Sequence, residues 1–310
     1  MKKTVRTSKR STRKGIHLVI PTTALILIVG LVMLVLGADR LNKNLTTKIN
    51  SVDVSLLWDE KNYDRIIELT EGKLEEEPLH TVSLIYCGFS YFYRGVSQVS
   101  MERSLPMIDR SIFLLKKALM QDHVPMVSRI HYILGKAYLH KSHYYADLAV
   151  YHLEKSIEEG FVNDDSFEYL GQAFTLLKDY NRSIECYMRA LGTNNTDRLY
   201  LRLADDHFSR GDYNDSEKYL KLMIENTRDE PLEKKGLFQL ANLYYDMKNY
   251  REAENVMKRL IVLESGNENY HFLLGEIYFF MDDIPNARSQ WHKTTRINPR
   301  HIGALKRLYG

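Results

Sequence analysis

Small residues recur along this chain at a nearly constant interval, each set inside an apolar helical pattern. They are Gly88, Gly135, Gly171, Ala204, Ala241 and Gly275, at successive spacings of 47, 36, 33, 37 and 34 residues. Repetition on that scale dictates the architecture before any single motif is weighed. Three stretches align well: "FEYLGQAFTLLKDYNRSIECYMRAL", "LFQLANLYYDMKNYREAENVMKRL" and "FLLGEIYFFMDDIPNARSQWHKTTRINP". Each has Leu followed by Gly or Ala, then an aromatic three residues on. A second small residue then opens another apolar helix, with a bulky residue four positions further. The pattern predicts two helices per unit that cross closely where the small residues sit. One such hairpin cannot bury its apolar stripe alone, so neighbouring hairpins must stack.

Composition agrees with an all-α fold. Gly and Pro are scarce, at 16 and 7 residues, while Leu, Glu, Lys, Tyr and Ala recur throughout.

The repeating residues resemble the tetratricopeptide repeat (TPR) family, whose period is about 34 residues. In the last unit the matching positions are Leu274, Gly275, Tyr278, Ala287, Trp291 and Pro299. An earlier unit offers Leu170, Gly171, Phe174, Ser183, Tyr187 and Ala190, and another Leu240, Ala241, Tyr244, Ala253, Met257 and Leu260. The resemblance implies a TPR-type α-solenoid, a right-handed superhelix of helix hairpins, over residues 51–299, with six to seven hairpins. Gly88, Gly135, Gly171, Ala204, Ala241, Gly275, Ala253 and Ala287 are then the repeat-packing residues, where anything larger than a methyl would push the helices apart. Pro285 suits the first turn of a second helix, where its missing N–H costs nothing.

The early units depart from the pattern. About eleven additional residues around Gly95–Met107 call for a longer turn or a helical extension. Two extra residues precede Ala149. "NYDRIIELTEGKLEEEP" reads as a second helix with Ile66 in place of the small residue, after a degenerate first helix near Val52–Glu60. Residues 300–310 read as a short capping helix.

The amino end is of a different kind. All seven charges in residues 1–14 are positive, and none occurs between Lys14 and Asp39. A helix over residues 16–38 would extend roughly 34 Å, enough for the ~30 Å hydrocarbon layer. This run is longer than a signal-peptide core, and Val35 and Leu36 make a poor cleavage context. The reading is therefore a basic cytoplasmic tail (1–15), one transmembrane helix (16–38) and a juxtamembrane link (39–50). Excess Lys and Arg before the span keep the amino terminus in the cytoplasm. The array is expected on the far side of the inner, cytoplasmic membrane, in the periplasm or its extracytoplasmic equivalent.

Without those seven basic residues the chain has 36 Lys and Arg against 40 Asp and Glu. A mildly acidic body argues against nucleic acid as partner. No phosphate-binding Gly-rich loop, nucleophile elbow, zinc-protease signature or paired CxxC is present. His140, His143 and His152 straddle a predicted turn and are not read as a metal site. Cys87 and Cys186 are read as buried apolar residues. The expectation is no catalysis, no cofactor, no metal and no small-molecule substrate.

Binding of another protein remains. The family resemblance places first-helix residues along an inner groove. By register from the small residues these are Tyr132, Lys136 and Leu139, then Leu201, Asp205 and Phe208. The next two units place Phe238, Asn242 and Tyr245, then Phe272, Glu276 and Phe279. Such an aromatic groove with mixed charge suits an apolar peptide or helix. The function expected is a membrane-anchored scaffold that assembles a cell-envelope complex, in secretion, wall synthesis or a periplasmic collar of a flagellar motor. The alternative is a chaperone-like holder of unfolded exported chains. The Lys/Asn/Arg set by which some TPRs clamp chaperone carboxyl termini is matched only at Asn242.

Overall fold

A computed structural model describes residues 54–193 and 196–310. The basic tail, the membrane span and the link inferred above lie outside the described residues. Among the described residues no helix is long and apolar enough to cross a membrane.

The chain divides into two units at residue 62, and residues 54–62 are the described part of the first. In the first, residues 54–59 are helical. The second comprises helices α1 (Tyr63–Glu76), α2 (Thr81–Val96), α3 (Met101–Leu119), α4 (Val127–Lys141), α5 (Ala146–Glu158), α6 (Ser166–Leu176) and α7 (Tyr180–Thr193). It continues with α8 (Asp197–Arg210), α9 (Tyr213–Asn226), α10 (Glu230–Asp246), α11 (Tyr250–Leu263), α12 (Glu268–Phe280), α13 (Ile284–Ile297) and α14 (Ile302–Tyr309). Helices pair as α2/α3, α4/α5, α6/α7, α8/α9, α10/α11 and α12/α13, and the second helix of each pair packs on the first helix of the next. α1 lies against α2, and α14 closes on α13. This is an all-helical solenoid of TPR type.

The small residues sit where the helices of a pair cross. A β-carbon built on Gly171 would lie 2.6 Å from the Tyr187 ring, and one on Gly275 2.6 Å from the Trp291 ring. Gly88 and Gly135 meet Leu115 and Leu153 at the same 2.6 Å. The second-helix partners follow one rule. Ser111, Ala149, Ser183, Ser216, Ala253 and Ala287 are all buried, and the residue four positions on fills the gap: Leu115, Leu153, Tyr187, Leu220, Met257 and Trp291. The expectation that a methyl would fit at Gly275 is thus too generous. A rigid indole stands where that methyl would go, and only hydrogen is accommodated. Ala204 and Ala241, beside Leu220 and Met257 in this register, are buried without that constraint.

The turn inside each of the last four pairs repeats to the atom. The seventh residue after the small one has positive φ: Lys178 (60°), Gly211 (92°), Lys248 (62°) and Asp282 (58°). The backbone N–H of the next residue, Asp179, Asp212, Asn249 or Asp283, donates to the carbonyl five positions back at 2.8–3.0 Å. This is the left-handed helix stop, which satisfies carbonyls left over at the end of the first helix. The same Asp or Asn precedes the following helix, where its carbonyl accepts from the N–H four residues on, and Asp283 also caps Asn286 N through its side chain at 3.2 Å. Pro285 occupies the first turn of α13.

The irregular early units find local solutions. The additional residues of the first pair lengthen both helices, so α2 runs on to Val96 and α3 starts at Met101, capped by Ser100. The two extra residues of the second pair are taken up in a three-residue 3-10 turn, His143–Tyr145. Ile66 is fully buried in α1.

Candidate partner-binding cavity

Helices α4, α8, α10 and α12 carry the residues assigned to a groove, and the stacking treats them unequally. Lys136 is buried at 7 % exposure. Its Nζ lies 2.8 Å from Asp165 Oδ2 and 2.9 Å from the Tyr132 hydroxyl, and it faces the rings of Tyr132, Tyr169 and Phe92 at 4.8, 4.3 and 5.8 Å. Tyr132 is buried too and donates to Asp165 Oδ1. Burial and that acidic neighbour hold its phenol far above the ordinary tyrosine range. Burial likewise pushes Tyr169 up to about 12. The ammonium is enclosed, ion-paired and desolvated, so it ties α4 to the chain entering α6 rather than offering a charge to a ligand. Leu139 is half-buried beside it.

The far end is closed in a similar way. Glu276 is buried and takes Arg307 of α14 on both oxygens, at 2.9 Å from Nε and 2.5 Å from Nη2. The same guanidinium lies 4.4 Å above the Phe279 ring, and Phe272 meets His301 at 4.6 Å. Tyr245 packs edge-on against Tyr250 and Phe280.

Between these ends the structure brings four of the expected residues together. Asp205 and Phe208 of α8 face Phe238 and Asn242 of α10 across a cavity of about 370 Å³. Leu220 and Ser216 of α9 form its back, and Lys235, Gln239 and Leu243 complete the wall. The lining is mainly apolar. Phe208 is 39 % exposed, Phe238 half-buried against Tyr270, and Leu201 is buried in α8 and takes no part.

Its polar groups are few and specific. Asp205 Oδ1 accepts from Gln239 Nε2 at 2.8 Å. Its carboxylate is desolvated by the surrounding wall although the residue keeps an exposed edge, and this raises its pKa above the ordinary aspartate range. Asn242 Nδ2 donates to the Phe238 carbonyl at 2.7 Å. Gln239 Oε1 is buried and has no hydrogen-bond partner among the described residues.

Register from the small residues could not find Gln239 or Lys235, which lie off the inner stripe and become lining only through the spacing of α8 and α10. Asp206 was also missed. It is 1 % exposed, lies within hydrogen-bond reach of Thr175 and Ser183, and so joins α8 to the preceding pair. His140, His143 and His152 stay apart: His140 lies against Phe92 and Tyr169, His143 against Tyr144, and His152 pairs with His131. Among the described residues no group of three His, Cys, Asp or Glu is placed to hold a metal.

Two stretches of the sequence, residues 169–197 and 235–266, match the family model of the tetratricopeptide repeat. Each of these two stretches is similar to a tetratricopeptide repeat. The second matched stretch contains Phe238, Gln239 and Asn242 of the cavity wall. A TPR repeat-containing protein of Methanocaldococcus jannaschii is 26 % identical over 170 residues, covering 52 % of this chain and 29 % of that protein. The chain therefore spans well under half of that relative's length. The C-terminal part of a TPR repeat-containing protein from Cytophaga hutchinsonii superposes with TM-score 0.62 at 15 % identity, covering 83 % of this chain and 98 % of that one. A tetratricopeptide repeat protein from Parabacteroides merdae gives TM-score 0.50 at 17 % identity, covering 85 % and 97 %. At such identities the tetratricopeptide fold is what these structures share with this chain.

Proposed function

We propose that this chain is a membrane-anchored TPR scaffold that holds a protein partner in the cavity between α8 and α10 and so builds a cell-envelope complex. The observation that carries the reading is the cavity itself. An apolar recess of about 370 Å³ takes a bulky side chain. Asp205, Lys235 and Asn242 around it supply orientation. Tethering through residues 16–38, with the amino terminus in the cytoplasm and the repeats outside, raises the local concentration of whatever is held. The mechanism is non-catalytic: positioning, by one docked segment.

A photocrosslinking amino acid at Phe208, followed by identification of what is captured, tests the site. One stoichiometric partner, lost on Phe238→Ala, is the expected result. A broad smear of exported chains would replace the scaffold with a holder of unfolded protein, and no cavity-dependent capture would remove the site.

The topology needs an introduced thiol. Both natural cysteines are buried, and burial raises their thiols to about 12 (Cys87) and about 11 (Cys186), so neither reports on sidedness. Val99 is fully exposed at the tip between α2 and α3. Val99→Cys should react with an impermeant maleimide in intact spheroplasts. Reaction only after lysis would reverse the orientation.

A further inference from the structure

α3 carries a stripe that the stacking leaves uncovered. Asp109, Phe113, Lys116 and Met120 follow the helical spacing of one face, opposite Ile108, Ser111, Leu115 and Ala118, which are buried. Phe113 is 55 % and Met120 83 % exposed. Between this stripe and Lys141 at the end of α4 lies a depression of about 620 Å³, floored by Ile112, Phe113 and Met120. Its lining is predominantly apolar.

The rim is positive. Lys141 is neutralised by Asp109 at 2.7 Å. Arg110, whose guanidinium lies 5.6 Å from the Phe113 ring, is taken by Glu71 at 3.0 Å. Lys116 and Lys117 line the depression and form no ion pair among the described residues. Two uncompensated ammonium groups thus stand beside exposed apolar surface, on a chain whose body beyond residue 14 has 36 basic against 40 acidic residues. Exposed apolar area flanked by charge marks an interaction surface. A positive rim selects against basic and for acidic segments.

We infer that the outer face of α3 is a second docking surface, for an acidic segment of a partner protein in which Asp or Glu flanks a bulky apolar residue. The apolar side chain seats between Phe113 and Met120, and the carboxylates reach Lys116 and Lys117. This surface shares no residue with the cavity between α8 and α10, so it stands whether or not that cavity binds anything. With both occupied, the repeats would hold two partners at a fixed separation.

Selection from a phage-displayed random dodecapeptide library on the full chain tests it, with affinities of the enriched peptides measured by fluorescence anisotropy. The enriched peptides should place Asp or Glu beside Leu, Ile, Phe or Met and bind more weakly as salt rises. Lys116→Glu/Lys117→Glu and, separately, Phe113→Ser should each weaken binding by at least about tenfold, whereas Phe238→Ala should not change it. All substituted side chains on α3 are surface residues, and circular dichroism checks that the helices remain. Enriched peptides lacking acidic residues, binding that survives the charge reversal, or no enrichment would each overturn the inference. So would binding confined to phosphatidylglycerol vesicles, which would make the surface a lipid contact.

Discussion

The Nδ1 atoms of His131 and His152 lie 2.8 Å apart, inside the pair formed by α4 and α5. Both rings are 8 % exposed, and Tyr138 stacks on His152 while Tyr151 meets both edge-on. One nitrogen must donate and the other accept, so the two rings cannot both be protonated while this contact is kept.

That pair should make the protein acid-sensitive. Burial lowers both histidines, and mutual repulsion and Lys116 lower His152 further, to about 4; Glu159 opposes this at His131, where Lys155 adds to it. The unfolded histidines titrate near 6.5. Between 6.5 and about 4 the unfolded state binds more protons, so stability is fully present above 6.5 and declines as pH falls through that window. The pair should contribute about 1–3 kcal/mol of loss between pH 7 and pH 4.5. Urea denaturation of wild type against His131→Asn/His152→Phe checks it, because the double variant should show the shallower fall. Parallel profiles would assign the acid response elsewhere.

Glycines should split by what surrounds them. Gly275→Ala forces a methyl into the Trp291 ring and should cost about 1–3 kcal/mol. Gly72, inside α1, has nothing within 4 Å of a built β-carbon, so Gly72→Ala should gain about 0.5–1 kcal/mol. Thermal melts of the two variants decide it, and equal shifts would contradict the crossing geometry.

The repeated left-handed turn makes an opposite pair of substitutions. Lys248 holds φ 62°, a conformation costly for any residue with a β-carbon. Lys248→Gly should leave stability unchanged or raise it by up to about 1 kcal/mol, because Gly adopts that angle without strain but loses more chain entropy. Gly211→Ala should lower it by about 1 kcal/mol, since open space around Gly211 leaves only the backbone penalty. The measurement is the denaturant midpoint of each.

Lys136 separates stacking from binding. Lys136→Ala removes the cation from Asp165 and Tyr132 in a buried setting and should cost about 3 kcal/mol or more. Capture at the α8–α10 cavity should survive at temperatures where the variant remains folded. Asn242→Ala should do the reverse, weakening capture with a stability change within about 1 kcal/mol. If Lys136→Ala abolished capture while remaining fully folded, its ammonium would be a ligand contact after all.

The repeating unit was legible because close helix crossings demand small residues, and small residues at a fixed interval are visible in one dimension. Gly171 and Gly275 announced their crossings, and Tyr187 and Trp291 their fillers. The left-handed turn at "KDY", "GDY", "KNY" and "DDI" was not read from the sequence, because Lys178, Lys248 and Asp282 disguise a position that Gly211 alone marks as left-handed.

The groove residues show where one dimension stops. Tyr132, Lys136, Asp205, Asn242 and Glu276 all sit on first helices in the register expected of a groove. Register fixes which side of a helix a residue takes, and thereby the order and pairing of the helices. It does not fix how near the next unit comes, nor what that unit carries. Asp165 and Arg307, distant in sequence, arrive to neutralise Lys136 and Glu276, while nothing arrives for Gln239 Oε1. The sequence by itself determined that helices pair and stack. Only the tertiary structure decided which of their polar groups were left to meet a partner, because that depends on distances between units, and no spacing along one chain encodes them.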